Sequence, residues 1–136
     1  MWNMKRSPLR RKSRSPITIA RSNAITAFNA FIRARDAKEL NGKCFTCGER
    51  GNQAGHFIHS ANAVRFEETA VHLQCTNCNL WKSGNLIEYT VRMIKDYGQE
   101  WVDKLRKRGR IPQSFTTKQF REIEEIYKNK LKDLNR

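Results

Sequence analysis

Two C-x-x-C pairs, Cys44 with Cys47 in CFTC and Cys75 with Cys78 in CTNC, account for all four cysteines of the sequence. Two knuckles that each supply two thiolates suit the tetrahedral preference of zinc, so the pattern predicts one closed structural site rather than a disulfide pair or a redox dithiol. Such a site typically contributes on the order of 10 kcal/mol or more to folding. A plain binding ribbon separates its knuckles by about 15 to 20 residues, whereas here 27 lie between Cys47 and Cys75. The added length holds all three histidines, His56, His59 and His72. A histidine on a short element braced by such a site is either a buried structural ring or a catalytic base.

The surrounding elements must position these groups. Ser15 and Pro16 fit a helix cap and first helical position, and Ile25, Phe28, Phe31 and Ile32 recur at helical spacing. The helix runs to about Leu40, where Asn41 and Gly42 stop it. Residues 43–83 are rich in Cys, His, Asn and Gly and predict a loop-rich module with a short strand around Gly55 to Ile58. Asn85 with Glu88 resembles a capping box that opens a helix closed by Gly98. A shorter helix spans Gln99 to about Arg108. Thr116 with Gln119 forms a second capping-box pattern ahead of a last helix carrying Phe120, Ile123, Tyr127, Leu131 and Leu134. The fold class is therefore α+β and mostly helical. Its parts are a disordered basic arm (1–16), an N-terminal helix (17–42), a zinc-bound module (43–97) and C-terminal helices (98–136). The last helix and the Phe28 to Ile32 face are the candidate dimer contacts.

The 136 residues carry 27 Lys and Arg against 13 Asp and Glu, a net charge of +14. Residues 1–35 hold nine positive charges and no acid, 36–83 hold five of each sign, and 84–136 hold thirteen against eight. Basic flanks around a neutral centre fit flanks that grip a phosphate backbone, and nucleic acid is the expected partner. The length excludes a large multidomain enzyme, and no run approaches the roughly 20 apolar residues of a membrane helix. The basic opening lacks the apolar run of a secretory signal, so a cytoplasmic location is the default.

The order C-x-x-C, then GHF with His56, then C-x-x-C-N with Asn79 and Lys82 three residues on, resembles the HNH branch of the His-Me finger nucleases, which includes phage recombination endonuclease VII. The chain is more closely similar to the phage lambda NinG (Rap) recombination proteins. The segments NAFIRARD, CFTCG, AGHF, RFEE, HLQCTNCNLWKSGNL and KLKDL follow that family's order across about three-quarters of the chain, with the basic arm outside. The resemblance implies a zinc-stapled ββα module in a metal-dependent, structure-specific endonuclease. Its substrates would be Holliday junctions and displacement loops inside a bacterial host cell. His56 takes the place of the general base, Asn79 that of a ligand to a catalytic Mg²⁺ or Mn²⁺, and Cys44, Cys47, Cys75 and Cys78 that of the structural zinc ligands.

Two departures accompany this. Gly55 stands where many HNH enzymes place an acidic metal ligand, and Ala70 stands where the middle Asn falls. His59, Glu67, Glu68 and His72 are candidates to complete the site or brace the hairpin, with Glu68 first because it lies in RFEE. Lys82 would share a helical face with Asn79 and meet a phosphate oxygen, or else be a solvated lysine. Trp81, Tyr89 and Trp101 could wedge against an opened junction or belong to the core. A four-way junction needs two symmetric cuts, which makes a homodimer the expected assembly. The alternatives are a non-catalytic zinc module that binds branched or single-stranded DNA, and a general nicking HNH enzyme.

Overall fold

The computed structural model describes residues 12–59 and 61–136. Most of the predicted basic arm, positions 1–11, lies outside the described residues, and 12–15 have no regular structure. Helix α1 covers Pro16–Glu39; the Ser15 hydroxyl accepts from the Thr18 amide at 3.3 Å and Pro16 opens the helix, as the cap pattern predicts. It ends where Asn41 and Gly42 take positive φ, at 52° and 71°.

Strand β1 (Gln53–His56) pairs antiparallel with β2 (Val71–Gln74), with His56 opposite Val71 and Gln53 opposite Gln74. The predicted strand, Gly55 to Ile58, sits two residues too late. Phe57 and Ile58 are apolar because they pack in the core beside Val64 and Tyr89; pairing ends with a last bond from the Phe57 amide to the Ala70 carbonyl at 2.8 Å. A single turn, α2 (Asn62–Arg65), and a 3₁₀ turn (Glu68–Ala70) connect the strands.

After β2 comes a π-helical turn, Asn77–Trp81, and then α3 (Leu86–Tyr97), α4 (Gln99–Gly109) and α5 (Thr117–Leu134). The capping box at Thr116 and Gln119 is present in both directions. The one proposed at Asn85 is not. Asn85 adopts a left-handed φ of 49° and its side chain caps nothing. Its amide instead reaches the Cys78 sulfur at 3.5 Å.

Two cores flank the hairpin. One face packs Ala54 and Val71 against Phe28, Phe31 and Ile32 of α1, and α5 closes over the same helix with Tyr127, whose ring meets Phe28 edge-on at 4.7 Å. On the other face Tyr89 and Met93 of α3, Val102 and Leu105 of α4, Phe45 and Phe57 form the second core. Both faces nominated for a dimer contact, that of the last helix and Phe28 to Ile32, are thus spent on each other within one chain: two amphipathic helices bury their stripes most directly when the chain supplies both. Among the described residues no helix is long and apolar enough to cross a membrane.

Candidate functional site

The four cysteines converge, with sulfurs all within 4.8 Å of one another; Cys44, Cys75 and Cys78 are buried and Cys47 is exposed. The Cys78 amide donates to the Cys75 sulfur at 3.4 Å, the Asn85 amide to that of Cys78 at 3.5 Å, and the Thr46 hydroxyl lies 3.2 Å from that of Cys44. Such donors stabilise thiolates. Burial opposes ionisation of Cys44, but these bonds and nearby backbone amides bring it down to about 6. Burial and the three neighbouring sulfurs push Cys47 up to about 12. Four thiols this close resist joint ionisation without a cation between them. A soft, four-sulfur donor set is compatible with structural zinc.

The three histidines have separate fates. His72 is buried and fully partnered. It stacks on Phe45 at 3.9 Å, and its Nε2 lies 3.1 Å from both the Thr69 carbonyl and the Tyr97 hydroxyl. Its Nδ1 faces Arg35 at 3.2 Å and Asp36 at 3.6 Å. Asp36 is itself 1% exposed, and burial would raise its pKa. Bonds from His72, Arg35 and the Leu73 amide overcome this and hold it at about 2. Sequence reading missed Asp36, although an acid one turn beyond Ile32 on an apolar stripe is a legible signal of a buried pair.

His56 sits at the far end of β1, its ring centroid 6.5 Å from that of Phe28. Burial first, then the charges of Arg65 and His59, push its pKa down to about 4. The adjacent backbone is held by the Tyr89 hydroxyl, which donates to the Gly55 carbonyl at 2.8 Å. His59 is exposed and stands over Gly84, where a Cβ would come within 2.8 Å of its Nε2. Gly55 has a packing reason as well: a Cβ there would fall 1.8 Å from Gln74 Oε1. Any side chain at that position, an acidic ligand included, is excluded unless Gln74 moves.

Asn79 does not join His56. Its amide donates to Gln53 Oε1 at 2.7 Å. Gln53 and His56 are three positions apart on β1, so their side chains leave opposite faces, roughly 10 Å apart along the strand. Lys82 is exposed, and its amide bonds five residues back to Asn77 at 2.9 Å. This π-helical turn removes the i,i+3 alignment with Asn79 expected of an α-helix. Glu68 accepts from Tyr127 at 3.0 Å and from Lys130 at 2.5 Å, and Glu67 pairs with Arg108 at 2.9 Å. Ala70 is buried. Among the described residues the four cysteines are the one gathering of three or more His, Cys, Asp or Glu ligand atoms. A second, hard-cation site built from Asn79 and Glu68 beside His56 does not fit this arrangement.

Of the wedge candidates, Tyr89 is fully buried and Trp101 packs on the second core, its indole N–H donating to Thr69 at 2.9 Å. Trp81 is 81% exposed and lies beside Lys82.

A two-stranded hairpin held between helices and fastened at one end by a four-cysteine cluster defines a small, mostly helical α+β protein whose cysteines could hold a metal ion. The family model for the bacteriophage lambda NinG protein matches residues 5–136, so most of the basic arm falls inside the match. The chain belongs to the NinG family. It is 42% identical over 113 residues to protein ninG of Escherichia phage 933W, covering 79% of this chain and 54% of that one. It is 41% identical to protein ninG of Escherichia phage lambda (79% and 53% covered) and 41% identical to that of Salmonella phage P22 (79% and 54%). The chain thus spans about half the length of the curated relatives it matches. No solved structure matches it.

Proposed function

We propose that the protein is an HNH-like endonuclease acting on branched DNA, with zinc in the cysteine cluster as a structural ion and His56 as the proton acceptor. The observation that carries this reading is the environment of His56. It is an imidazole kept uncharged at neutral pH, with its backbone clamped and the Arg65 guanidinium as a charged neighbour. Phosphodiester hydrolysis needs a group that takes a proton from the attacking water, and a neutral imidazole does so for a gain of typically a hundredfold to ten-thousandfold. A pKa near 4 makes a weak base in the free protein. An arriving phosphate would stabilise the imidazolium and bring the pKa toward the working pH. The chain's charge of +14 supplies the attraction for DNA.

The exposed Trp81 indole next to Lys82 offers a stacking surface for an unpaired base, which supports a branched rather than a continuous duplex substrate. The relatives' phage origin points to action within an infected bacterial cell. A homodimer would have to use a surface other than the two faces that α1 and α5 bury against each other.

The separation of Asn79 and Glu68 from His56 favours a second reading, a zinc module that binds branched DNA without cutting it. Incubating the zinc-loaded protein with a labelled four-way junction and with plain duplex, each with Mg²⁺, Mn²⁺ or EDTA, separates the two. Junction-selective cutting abolished by His56→Ala, with zinc content and binding kept, is the expected result. Junction binding with no cut under either ion establishes the second reading, and equal cutting of duplex and junction makes the protein a general nicking enzyme.

A further inference from the structure

We propose that Arg65 of α2 and Arg21 of α1 form a phosphate-binding site that seats the DNA backbone. The site deepens the nucleic-acid reading above and rests on it.

Arg65 closes α2 and is partly buried, yet its Nε has no hydrogen-bond partner among the described residues and is shielded from solvent. Two other partly buried arginines are satisfied: Arg35 binds Asp36 at 2.8 Å, and Arg92 binds Asp96 at 3.0 Å. Two acids follow Arg65 almost directly in sequence, and both are engaged elsewhere, Glu67 with Arg108 of α4 and Glu68 with Lys130 of α5. Each local carboxylate has thus been claimed by a distant cation, leaving the guanidinium closest in sequence without one.

What surrounds Arg65 instead is more positive charge. Burial lowers its pKa, and the charge of Arg21 lowers it further; Arg65 in turn depresses His56. Arg21 also makes no ion pair among the described residues, and it lines a cleft of about 240 Å³ with Thr18, Asn62, Ser114 and Phe115. Asn62 and Arg65 are three apart on α2, so they share one side of that turn. The cleft therefore has a wall of α1, a wall of α2, two hydroxyls and the Arg21 cation with no acid to neutralise it, beside the apolar Ile17, Phe115 and Phe120.

An unpaired, partly desolvated guanidinium beside a like charge is unfavourable in the empty protein. A bound anion reverses the sign of every interaction in the set. The planar guanidinium fork matches two phosphate oxygens at once, and hydroxyls and a carboxamide complete such a shell. A backbone phosphate seated here would bridge α1 and α2 through Arg21 and Arg65.

The test uses the zinc-loaded full chain without added Mg²⁺ or Mn²⁺, so that binding is read in the absence of cleavage. Arg65→Met and Arg21→Met keep the apolar stems and remove the charge; Arg110→Met, an exposed position, is the comparison. Junction affinity should fall about tenfold or more for Arg65→Met, in keeping with loss of a charged hydrogen bond. The log-log salt slope should shrink by about 0.9 for the phosphate no longer contacted. In phosphate-free buffer Arg65→Met should melt at or above the temperature of the parent, because a repulsion has gone. Inorganic phosphate should raise the parent's melting temperature more than the variant's, and a short duplex should do so at far lower concentration if the DNA backbone is the true occupant.

A structural arginine would give the reverse, with earlier melting of Arg65→Met and unchanged affinity of the folded fraction. Equal salt slopes in the parent and both variants would equally overturn the site. A junction bound in an Arg65-dependent way but never cut with Mg²⁺ or Mn²⁺ leaves the phosphate site standing and removes the catalytic reading. Cutting that ignores Arg65 does the opposite.

Discussion

His72 and His56 stand on the same small hairpin, in the neighbouring strands β2 and β1, and their electrostatic surroundings are opposite. His72 is enclosed by a carboxylate, a guanidinium, a phenol and a carbonyl, and its ring lies flat on Phe45. Every polar atom there has a partner inside the chain, so the site is complete before any ligand arrives. His56 has an aromatic neighbour in Phe28, and the Arg65 charge that reaches it disfavours its protonated form. Local satisfaction makes one histidine part of the framework. The shortage of negative charge at the other leaves a position that an anion would complete.

The largest expected effect removes the frame that supports both. Cys47→Ala, or a strong zinc chelator, should abolish cooperative folding, since a structural zinc typically contributes on the order of 10 kcal/mol or more. Circular dichroism during chelation checks this, and a protein that stays folded with its sulfurs free would show that the helical cores suffice. Next in size is Asp36→Ala, which should cost about 3 to 5 kcal/mol by leaving the part-buried Arg35 charge without its carboxylate and the Leu73 amide without an acceptor. Urea titration measures it. With the carboxyl at about 2 when folded against 3.8 when not, the part of this contribution that depends on ionisation is full above pH 3.8 and disappears as pH falls through 2.

His56→Gln should lower cleavage by about a hundredfold to ten-thousandfold and change stability at neutral pH little. An imidazole at about 4 in the folded chain and 6.5 unfolded binds its proton preferentially in the unfolded state. Folding is therefore penalised progressively as pH drops from 6.5 to 4, and the variant should lack that part of the decline. Parallel unfolding curves for parent and variant at pH 7.5 and 5 isolate it from the acid sensitivity of the thiolates. A parent whose pH dependence matches the variant's would mean that His56 titrates like a solvated ring and that the contrast with His72 is weaker than described. The smallest effect is at Glu68. As a half-exposed partner of Lys130, Glu68→Gln should cost about 0.2 to 1 kcal/mol and leave cutting nearly unchanged. A loss of cutting with stability intact would return Glu68 to the site.

Much of this was legible from residue order. The cap at Ser15 and Pro16, the stop at Asn41 and Gly42, the capping box at Thr116 and the gathering of the cysteines are local patterns, decided within a few residues by hydrogen-bonding groups and φ preferences. Asn85 shows the limit of such patterns. Its spacing to Glu88 fits a cap, but once the knuckle has formed it takes a left-handed φ of 49°, outside the extended region a cap uses, and its side-chain amide donates to the Cys78 sulfur. The strand at Gly55 to Ile58 was misplaced for a related reason, because apolar content marks burial and not pairing.

The sequence alone determined that a four-thiolate knuckle would be embedded in a mostly helical, strongly basic chain, because those features depend on composition and short-range spacing. Only the tertiary structure decided which charges meet. The bonding of Asn79 to Gln53 instead of an approach to His56, the pairing of Glu67 and Glu68 with cations of α4 and α5, and the resulting isolation of Arg65 all depend on how α1, α4 and α5 close around two short strands. Coulombic and hydrogen-bond energies depend on distance through space, and distance along the chain does not report it.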